Sequence, residues 1–515
     1  MLIGDLPRRN AARWADREAV VDATVAGNGT RLTYAAWNER INALADGLAK
    51  RGVGIGDRVA MHTYNSLPEM TTYLATAKLG AVTVPTNHRL AAGELEHILE
   101  GADADWLVYD PALEDTVRGA DFDLHRIATA AVSRRPDEPA LADEHYEAVV
   151  AAGEPAEPAR PDIEPTATSI LMHTSGTTGL PKLVTVSHRG QWMNAMSNLA
   201  ELWWDHADCA LNLAPLYHSA GYFNNFLPCL QLGGTNVIVA DFDPERTLVL
   251  LDDEAITSFL GVPTHFQRLR TADVDAPAAE ALRFVISTGA SLSDPTMDWI
   301  REHLTERFVN VYGLTESTGL VTLLRPERVD RLERGYCIGE PFHGVDVRVV
   351  EPTEDAGPAD IVERGERGQL VCRSDKLMTG YFGQPDRTAA ALRNSWLFTG
   401  DVVRRDADGF FYLIDRMDNC IVTGGENVYP AEVERVLDTA PGVAESAVVG
   451  ESDEEWGEIV VAYIVRADPT LTAADVDTFW NDQTRLASFK RPREIRFVDN
   501  IPTNPSGKIL RDQLD

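Results

Sequence analysis

The sequence predicts an α/β chain: a large N-terminal region of layered, mostly parallel sheets with helices, a β-rich stretch, and a small α+β C-terminal region. Three observations predict this. Between Thr33 and Val311 short apolar runs alternate with amphipathic helical periods, the pattern of helix-covered parallel sheet. From Val345 to Asp401 the texture changes to short β segments punctuated by Gly and Pro. Beyond Asn419 a helix and two strands are enough for a small separate unit.

Taken in order, Thr33 caps a helix over Tyr34–Lys50, where Trp37, Ile41, Leu44 and Leu48 repeat on one face and Gly52 ends the pattern. A strand at Arg58–His62, a helix at Glu69–Lys78 and a strand at Ala81–Val84 follow, then a helix at Gly93–Glu100 and a strand at Trp106–Tyr109. Ala130–Pro165, rich in Ala, Pro, Glu and Asp, reads as a solvated excursion. A helix is expected at Gln191–Leu202 and a strand at Ala210–Ala214. The alternation continues through Thr235–Ala240, Pro244–Leu251, Ser258–Gly261 and Pro263–Leu269, with further strands at Phe284–Ser287 and Phe308–Val311. Asp406–Ile414 carries a hairpin signal, with Asp408-Gly409 at the turn. Asp415–Asn419 is polar enough for a hinge, and a capped helix at Pro430–Thr439 and strands at Ser446–Val449 and Ile459–Val465 complete the chain.

The 515 residues are ample for several domains, and 80 acidic against 47 basic residues give a net charge of −33. That balance argues against nucleic acid or an anionic membrane as partner, because both require basic surface. The five cysteines are widely spaced with no metal or disulfide framework, so a reducing cytoplasm is expected. The N-terminal stretch is charged too early for a signal peptide, and no apolar run reaches membrane-spanning length. Oligomeric state is left open.

Chemistry concentrates in Ser169–Ser187, SILMHTSGTTGLPKLVTVS. Two apolar runs flank a loop in which Thr174, Ser175, Gly176, Thr177, Thr178, Gly179 and Lys182 offer hydroxyls, bare backbone N–H groups and one ammonium. Glycine there permits positive φ and close approach of an anion, so the natural guest is a polyphosphate. Leu180 and Pro181 separate Gly179 from Lys182, so this differs from the usual Gly-Lys-Ser/Thr nucleotide loop. Three more polar segments, PLYHSAGY, STGASL and YGLTEST, each follow a strand. Ligands in such sheets gather at strand ends, so the segments are candidates for one site.

Together, TSGTTGLPK, YGLTE, TGD, GGENVYPAEVE and PSGK resemble, in order and over nearly the whole chain, the adenylate-forming superfamily of acyl- and aryl-CoA ligases and amide bond synthetases. The resemblance implies an adenylating domain over 1–414, a hinge at 415–418 with Asp418 as pivot, a mobile lid domain over 419–515, and an active site between the domains. It implies ATP and Mg²⁺, with Thr174–Lys182 on the β- and γ-phosphates, Glu316 on the metal and Thr315 beside the α-phosphate. Tyr312 would stack on adenine, with Ser287, Gly289 and Ala290 along its edge; Asp401 would accept from the ribose hydroxyls, supported by Arg416. Lys508 would bridge the substrate carboxylate and the α-phosphate, where two anions are driven together. Two positions depart from the expected pattern, Leu183 and Asp415, both read as replacing glycine.

The acid pocket is expected along Tyr217, His218, Gly221, Tyr222, Phe223 and Phe226, with Gly261–Thr264 opposite. The segment holds no Asp or Glu for an ammonium, which favours an apolar aryl or acyl carboxylic acid over an amino acid. Gly424 and Gly425 would let a pantetheine arm pass, so CoA is the expected acceptor. Against this, Asn419–Asp515 holds 18 acidic and 9 basic residues, relieved by Arg485, Lys490, Arg491, Arg493 and Arg496. The alternative is an amide bond synthetase that passes the acyl group to a free amine. A nucleotide-binding module without turnover is a third reading, which the intact Glu316, Asp401 and Lys508 set opposes.

Overall fold

In the computed structural model, the described residues are 1–24, 29–129, 141–174, 181–272, 279–289, 292, 294–325, 337–353, 355–424, 426–453, 455–483, 486–503 and 509–514. The chain divides into two compact units, one of Met1–Arg331, Pro341–Asp346 and Arg373–Leu397, the other of Leu332–Glu340, Val347–Cys372 and Phe398–Asp515.

The first unit has the layered α/β build that the alternation predicts. One sheet runs Gly380–Tyr381, Lys182–Ser187, Thr168–Thr174, Val82–Pro85, Arg58–His62, Trp106–Tyr109, His125–Ala128 and Glu144–His145. It is parallel from Thr168–Thr174 to Glu144–His145, and Lys182–Ser187 turns back antiparallel. The second runs Gly319–Leu324, Phe308–Leu314, Phe284–Thr288, Ser258–Gly261, Cys209–Asn212, Thr235–Ile238, Glu18–Asp22 and Arg31–Thr33, parallel except at both ends. Its strands bury Leu211, Val237, Phe259, Val285 and Phe308 against the helices Pro244–Asp253 and Pro263–Arg270.

Local signals place several helices closely. Thr33 Oγ1 accepts from Ala36 N at 3.3 Å and starts the helix Tyr34–Ala49. Ser66 does the same for Leu67–Leu79, which starts before the expected Glu69 and ends on Gly80 at φ +75°. The excursion expected over Ala130–Pro165 is corrected in its described part. Glu144–His145 adds an edge strand, and the helix Tyr146–Ala152 buries Tyr146 and Val149 beside Tyr34–Ala49. Two buried side chains sufficed to order this stretch, too few to register as a period. The strand Glu18–Asp22, inserted next to Thr235–Ile238, was also not expected.

The strand Trp396–Arg405, in the second unit from Phe398 onward, and Phe411–Arg416 form the anticipated hairpin. Asp406 Oδ1 accepts from Gly409 N at 2.8 Å, and Gly409 sits at φ +98°. Beyond it, Val443–Asp453 and Gly457–Arg466 pair antiparallel, longer than expected, with Glu494–Val498 parallel at one side. The helices Pro430–Leu437 and Ala473–Asp482 cover this sheet through Val433, Leu437, Val476 and Trp480. Among the described residues no helix is long and apolar enough to cross a membrane.

Candidate active site

Register decides which loop residues meet. Ser258–Gly261, Phe284–Thr288 and Phe308–Leu314 are parallel neighbours, with Gly261 opposite Ser287 and Ser287 opposite Asn310. Their carboxyl ends therefore present Gly261, Ser287, Gly289 and the Tyr312–Glu316 segment at one sheet edge. A Cβ at Gly261 would stand 3.1 Å from the Phe266 ring, which would have to give by a few tenths of an ångström. Ser287 is fully buried, and its Oγ has no hydrogen-bond partner among the described residues. A buried hydroxyl so placed is a donor available to a ligand or to water.

Tyr312 is half-buried opposite Thr322. The turn after it is braced by Ser317, whose Oγ accepts from Leu314 N at 3.0 Å and donates to Gly319 O at 2.6 Å. Thr315 Oγ1 lies 3.5 Å from Ser219 Oγ, which joins this turn to the segment expected to line the acid pocket. Glu316 Oε1 accepts from Tyr381 Oη at 2.9 Å, and the Tyr381 ring lies 5.4 Å from Lys182 Nζ. Thr174 and Lys182 face each other in the antiparallel register, so the ends of the phosphate loop are pinned together. Tyr381 thus links the loop's lysine to the expected metal carboxylate. Ser175, Gly176, Thr177, Thr178, Gly179 and Ala290 lie outside the described residues. Leu183 is absorbed into the core with Leu99 and Leu171, and its carbonyl accepts from Phe382 N at 2.8 Å.

In the acid segment Tyr222–Phe226 forms a π-helical turn, with Tyr222, Phe223 and Phe226 buried. Tyr222 packs 4.7 Å from Tyr73, and its Oη donates to Glu69 Oε1 at 3.3 Å. Phe226 packs against Trp37 and Tyr73, and Gly221 approaches Pro215 O so closely that a Cβ would stand 2.5 Å away. Tyr217 is buried between His88 and His173, and His218 is half-buried beside it. Desolvation, reinforced by His88, holds His218 near 4, so it is neutral at pH 7. Burial likewise keeps the Glu69 carboxyl well above its usual range.

In the second unit Asp401 and Arg416 are opposed in the hairpin register, and Arg416 Nη1 donates to Asp401 Oδ1 at 3.1 Å and to Thr399 O at 3.2 Å. Gly400, at φ +74°, lets the guanidinium approach; a Cβ would stand 3.1 Å from Arg416 Nη2. Asp415 accepts from Asn419 Nδ2 at 2.7 Å and Ala431 N at 2.8 Å, ties no glycine could make. Asp418 is exposed in the turn Met417–Asn419, its Oδ2 3.6 Å from Arg416 Nη2. Gly424, at φ +59°, donates from its N–H to Trp456 O at 2.9 Å, and a Cβ there would stand 2.9 Å from the indole. Gly425, Arg485 and Lys508 lie outside the described residues.

The family model of the AMP-binding enzymes matches residues 7–382, and that of their C-terminal domain matches 432–508. The chain belongs to the AMP-binding enzyme family. Among relatives of this AMP-binding enzyme, a feruloyl-CoA synthase of Amycolatopsis is 36% identical over 496 residues, covering 94% of each chain. ATP-bound MatB of Rhodopseudomonas palustris superimposes with a TM-score of 0.85 at 28% identity, covering 100% of this chain and 98% of that one. The o-succinylbenzoate CoA synthetase of Bacillus subtilis, solved with its acyl-adenylate intermediate, gives 0.83 at 26% identity, covering 99% and 97%. Sequence reasoning passed over Tyr381, Glu69 and Trp456. A Tyr within KLMTGYFGQP carries no local sign that it will face Glu316.

Proposed function

We propose that this AMP-binding enzyme activates an apolar aryl or acyl carboxylic acid with ATP and passes the acyl group to coenzyme A. In the first step a carboxylate oxygen bonds to the α-phosphorus as the bond to pyrophosphate breaks. In the second the CoA sulfur bonds to the acyl carbon, AMP leaves, and the thiol proton is released. The observation that carries this reading is the convergence of Gly261, Ser287 and Tyr312–Glu316 at one strand edge, with Tyr381 tying Glu316 to Lys182.

Thr174, Lys182 and the intervening residues would hold the β- and γ-phosphates, and Tyr312, Ser287, Gly289 and Ala290 the adenine. Asp401 accepts from the ribose hydroxyls, held in place by Arg416, and Lys508 neutralises the two anions that meet in the first step. Among the described residues no group of three or more His, Cys, Asp or Glu could hold a metal alone. A single carboxylate fits Mg²⁺ that arrives on a triphosphate and keeps water ligands, and Glu316 would hold it. Its contribution when bound is to offset charge on the phosphate oxygens. Tyr217, His218, Gly221 and Gly261 would border the acid, with Tyr222 and Phe223 supporting that wall from the core. Residues 1–414 would bind ATP and the carboxylic acid, and 419–515, which supply Lys508, turn about Asp418 between the steps.

The acceptor reading is supported around Gly424. Lys490 pairs with Glu432, Arg491 with Asp477, and Arg496 with Glu451 and Glu494. Arg493 makes no ion pair with a described residue, and its guanidinium lies 3.9 Å from the partly exposed Trp456 ring that touches Gly424. An aromatic plate and an available cation beside a side-chain-free backbone suit a nucleotide-bearing thiol; a simple amine needs neither. The test offers CoA and a primary amine in parallel, with ATP, Mg²⁺ and a panel of aryl and medium-chain acids, and identifies products by mass. Thioester formed only with CoA is expected; amide formed without CoA at a comparable rate would overturn the acceptor assignment.

A further inference from the structure

A buried lysine of the first unit stands where several of its elements cross. Lys376 belongs to the strap Ser374–Tyr381, which is laid along the strand Lys182–Ser187, with Thr379 N donating to Thr185 O at 2.9 Å. Lysine is rarely buried without partners, because its terminal nitrogen must give up water. Lys376 is 1% exposed, and its Nζ donates to Leu320 O and, at 3.1 Å, to Asn194 Oδ1. The Phe342 ring lies 5.1 Å from the same nitrogen.

Both acceptors lead back to the site. Leu320 is in the strand Gly319–Leu324, four residues beyond Glu316. The strap meets Glu316 itself twice more, since Met378 N donates to Glu316 O and Tyr381 Oη to Glu316 Oε1, each at 2.9 Å. Two ties at one residue leave the strap free to pivot there. The Lys376 tie, made further along the strand, removes that freedom. Asn194 is oriented as well: lysine offers only donors, so the amide turns its oxygen to Lys376 and its nitrogen away. Asn194 Nδ2 donates to Phe223 O at 2.8 Å and Asn224 Oδ1 at 3.0 Å, in the turn Tyr222–Phe226. Gly319 makes room for this amide, as a Cβ there would stand 2.3 Å from Asn194 Oδ1.

We infer that Lys376 is a positioning residue that sets the Glu316 carboxylate for Mg–ATP, an inference that rests on the metal role proposed for Glu316. Lys376 touches no substrate in this account. It acts by bolting the strap that carries Met378 and Tyr381 to the strand leaving the Glu316 turn. A misplacement of about 1 Å from a change remote from the chemistry is enough to slow a reaction steeply.

The experiment compares wild-type protein, Lys376→Met, Lys376→Gln, Tyr381→Phe, Glu316→Gln and the double variant of Lys376→Met with Tyr381→Phe. Met keeps an unbranched stem without the donor, and Gln restores an N–H. Hydrogen exchange of the strap amides is followed in ligand-free protein, Mg–ATP binding by calorimetry, and turnover by acid-dependent ATP–pyrophosphate exchange. Lys376→Met is expected to speed hydrogen exchange at Met378 and to raise the apparent KM for Mg–ATP about fivefold, with a smaller change in kcat. Lys376→Gln should fall between. The double variant should resemble the worse single variant, because both changes loosen one carboxylate. Unchanged hydrogen exchange at Met378, a loss confined to kcat, or effects that multiply in the double variant would overturn the inference. Failure of both Lys376 variants to fold would also overturn it, making Lys376 a determinant of the fold. Mg–ATP binding unchanged by Glu316→Gln would refute the metal role and the inference resting on it. Wild-type protein with no pyrophosphate exchange for any acid would refute the proposed function, while hydrogen exchange and calorimetry still judge Lys376.

Discussion

Tyr381 Oη donates to Glu316 Oε1 at 2.9 Å across 65 residues of sequence. The same short segment fixes Glu316 by its backbone, since Met378 N donates to Glu316 O at 2.9 Å. Tyr381 then continues into a two-residue strand against Val184, which keeps its ring near Lys182 Nζ. Glu316 is thus held once at its carboxylate and once at its backbone carbonyl.

Tyr381→Phe should leave the fold intact and loosen only that carboxylate. A hydrogen bond to a charged group contributes about 1.5–3 kcal/mol, of which part is recovered by water at this half-buried position. We expect the apparent KM for Mg–ATP to rise several-fold with a smaller change in kcat, measured by ATP–pyrophosphate exchange across Mg²⁺ concentrations. A fall in kcat alone would place Tyr381 in the chemistry instead.

Lys508→Ala should cripple adenylate formation and largely spare transfer from a pre-made adenylate. Losing the charge that offsets two converging anions should cost about 3–5 kcal/mol of transition-state stabilisation. Single-turnover rates of each half-reaction separate the two, and an equal loss in both would contradict the assignment.

Asp418→Pro should act in the opposite direction. Residue 418 sits in the turn Met417–Asn419, and a pivot there must sample two backbone states that proline's fixed φ forbids. Adenylation is expected to survive while CoA-dependent turnover collapses. Undiminished thioester formation would move the pivot elsewhere.

Acid should destabilise the first unit through buried imidazoles. Desolvation lowers His62 and His173 from 6.5 to about 3, with neighbouring histidines adding to the shift. The unfolded chain then binds more protons below pH 6.5, so their contribution is complete above 6.5 and fades as pH falls from 6.5 toward 3. At pH 5 each should cost about 2 kcal/mol relative to neutral pH. Urea unfolding at pH 7.5 and 5 measures this, and His62→Gln should flatten the difference. An unchanged pH slope in that variant would show His62 to be solvated in the fold.

The sequence by itself determined what short-range physics controls. The Thr33 and Ser66 caps, the Asp406–Gly409 turn and the strands ending at Gly261 and near Ser287 follow from hydrogen bonds and φ preferences within a few residues. The order of TSGTTGLPK, YGLTE, TGD and PSGK was enough to name the chemistry. Tertiary structure alone decided that Tyr381 meets Glu316 and that Arg511 meets Glu434 across 77 residues. It also put Leu183 in the core, turned Asp415 into a tie to Ala431, and buried Tyr222 and Phe226 among Trp37 and Tyr73. These pairings depend on strand register and on which apolar faces meet, quantities set by the packing of distant segments and carried by no local pattern.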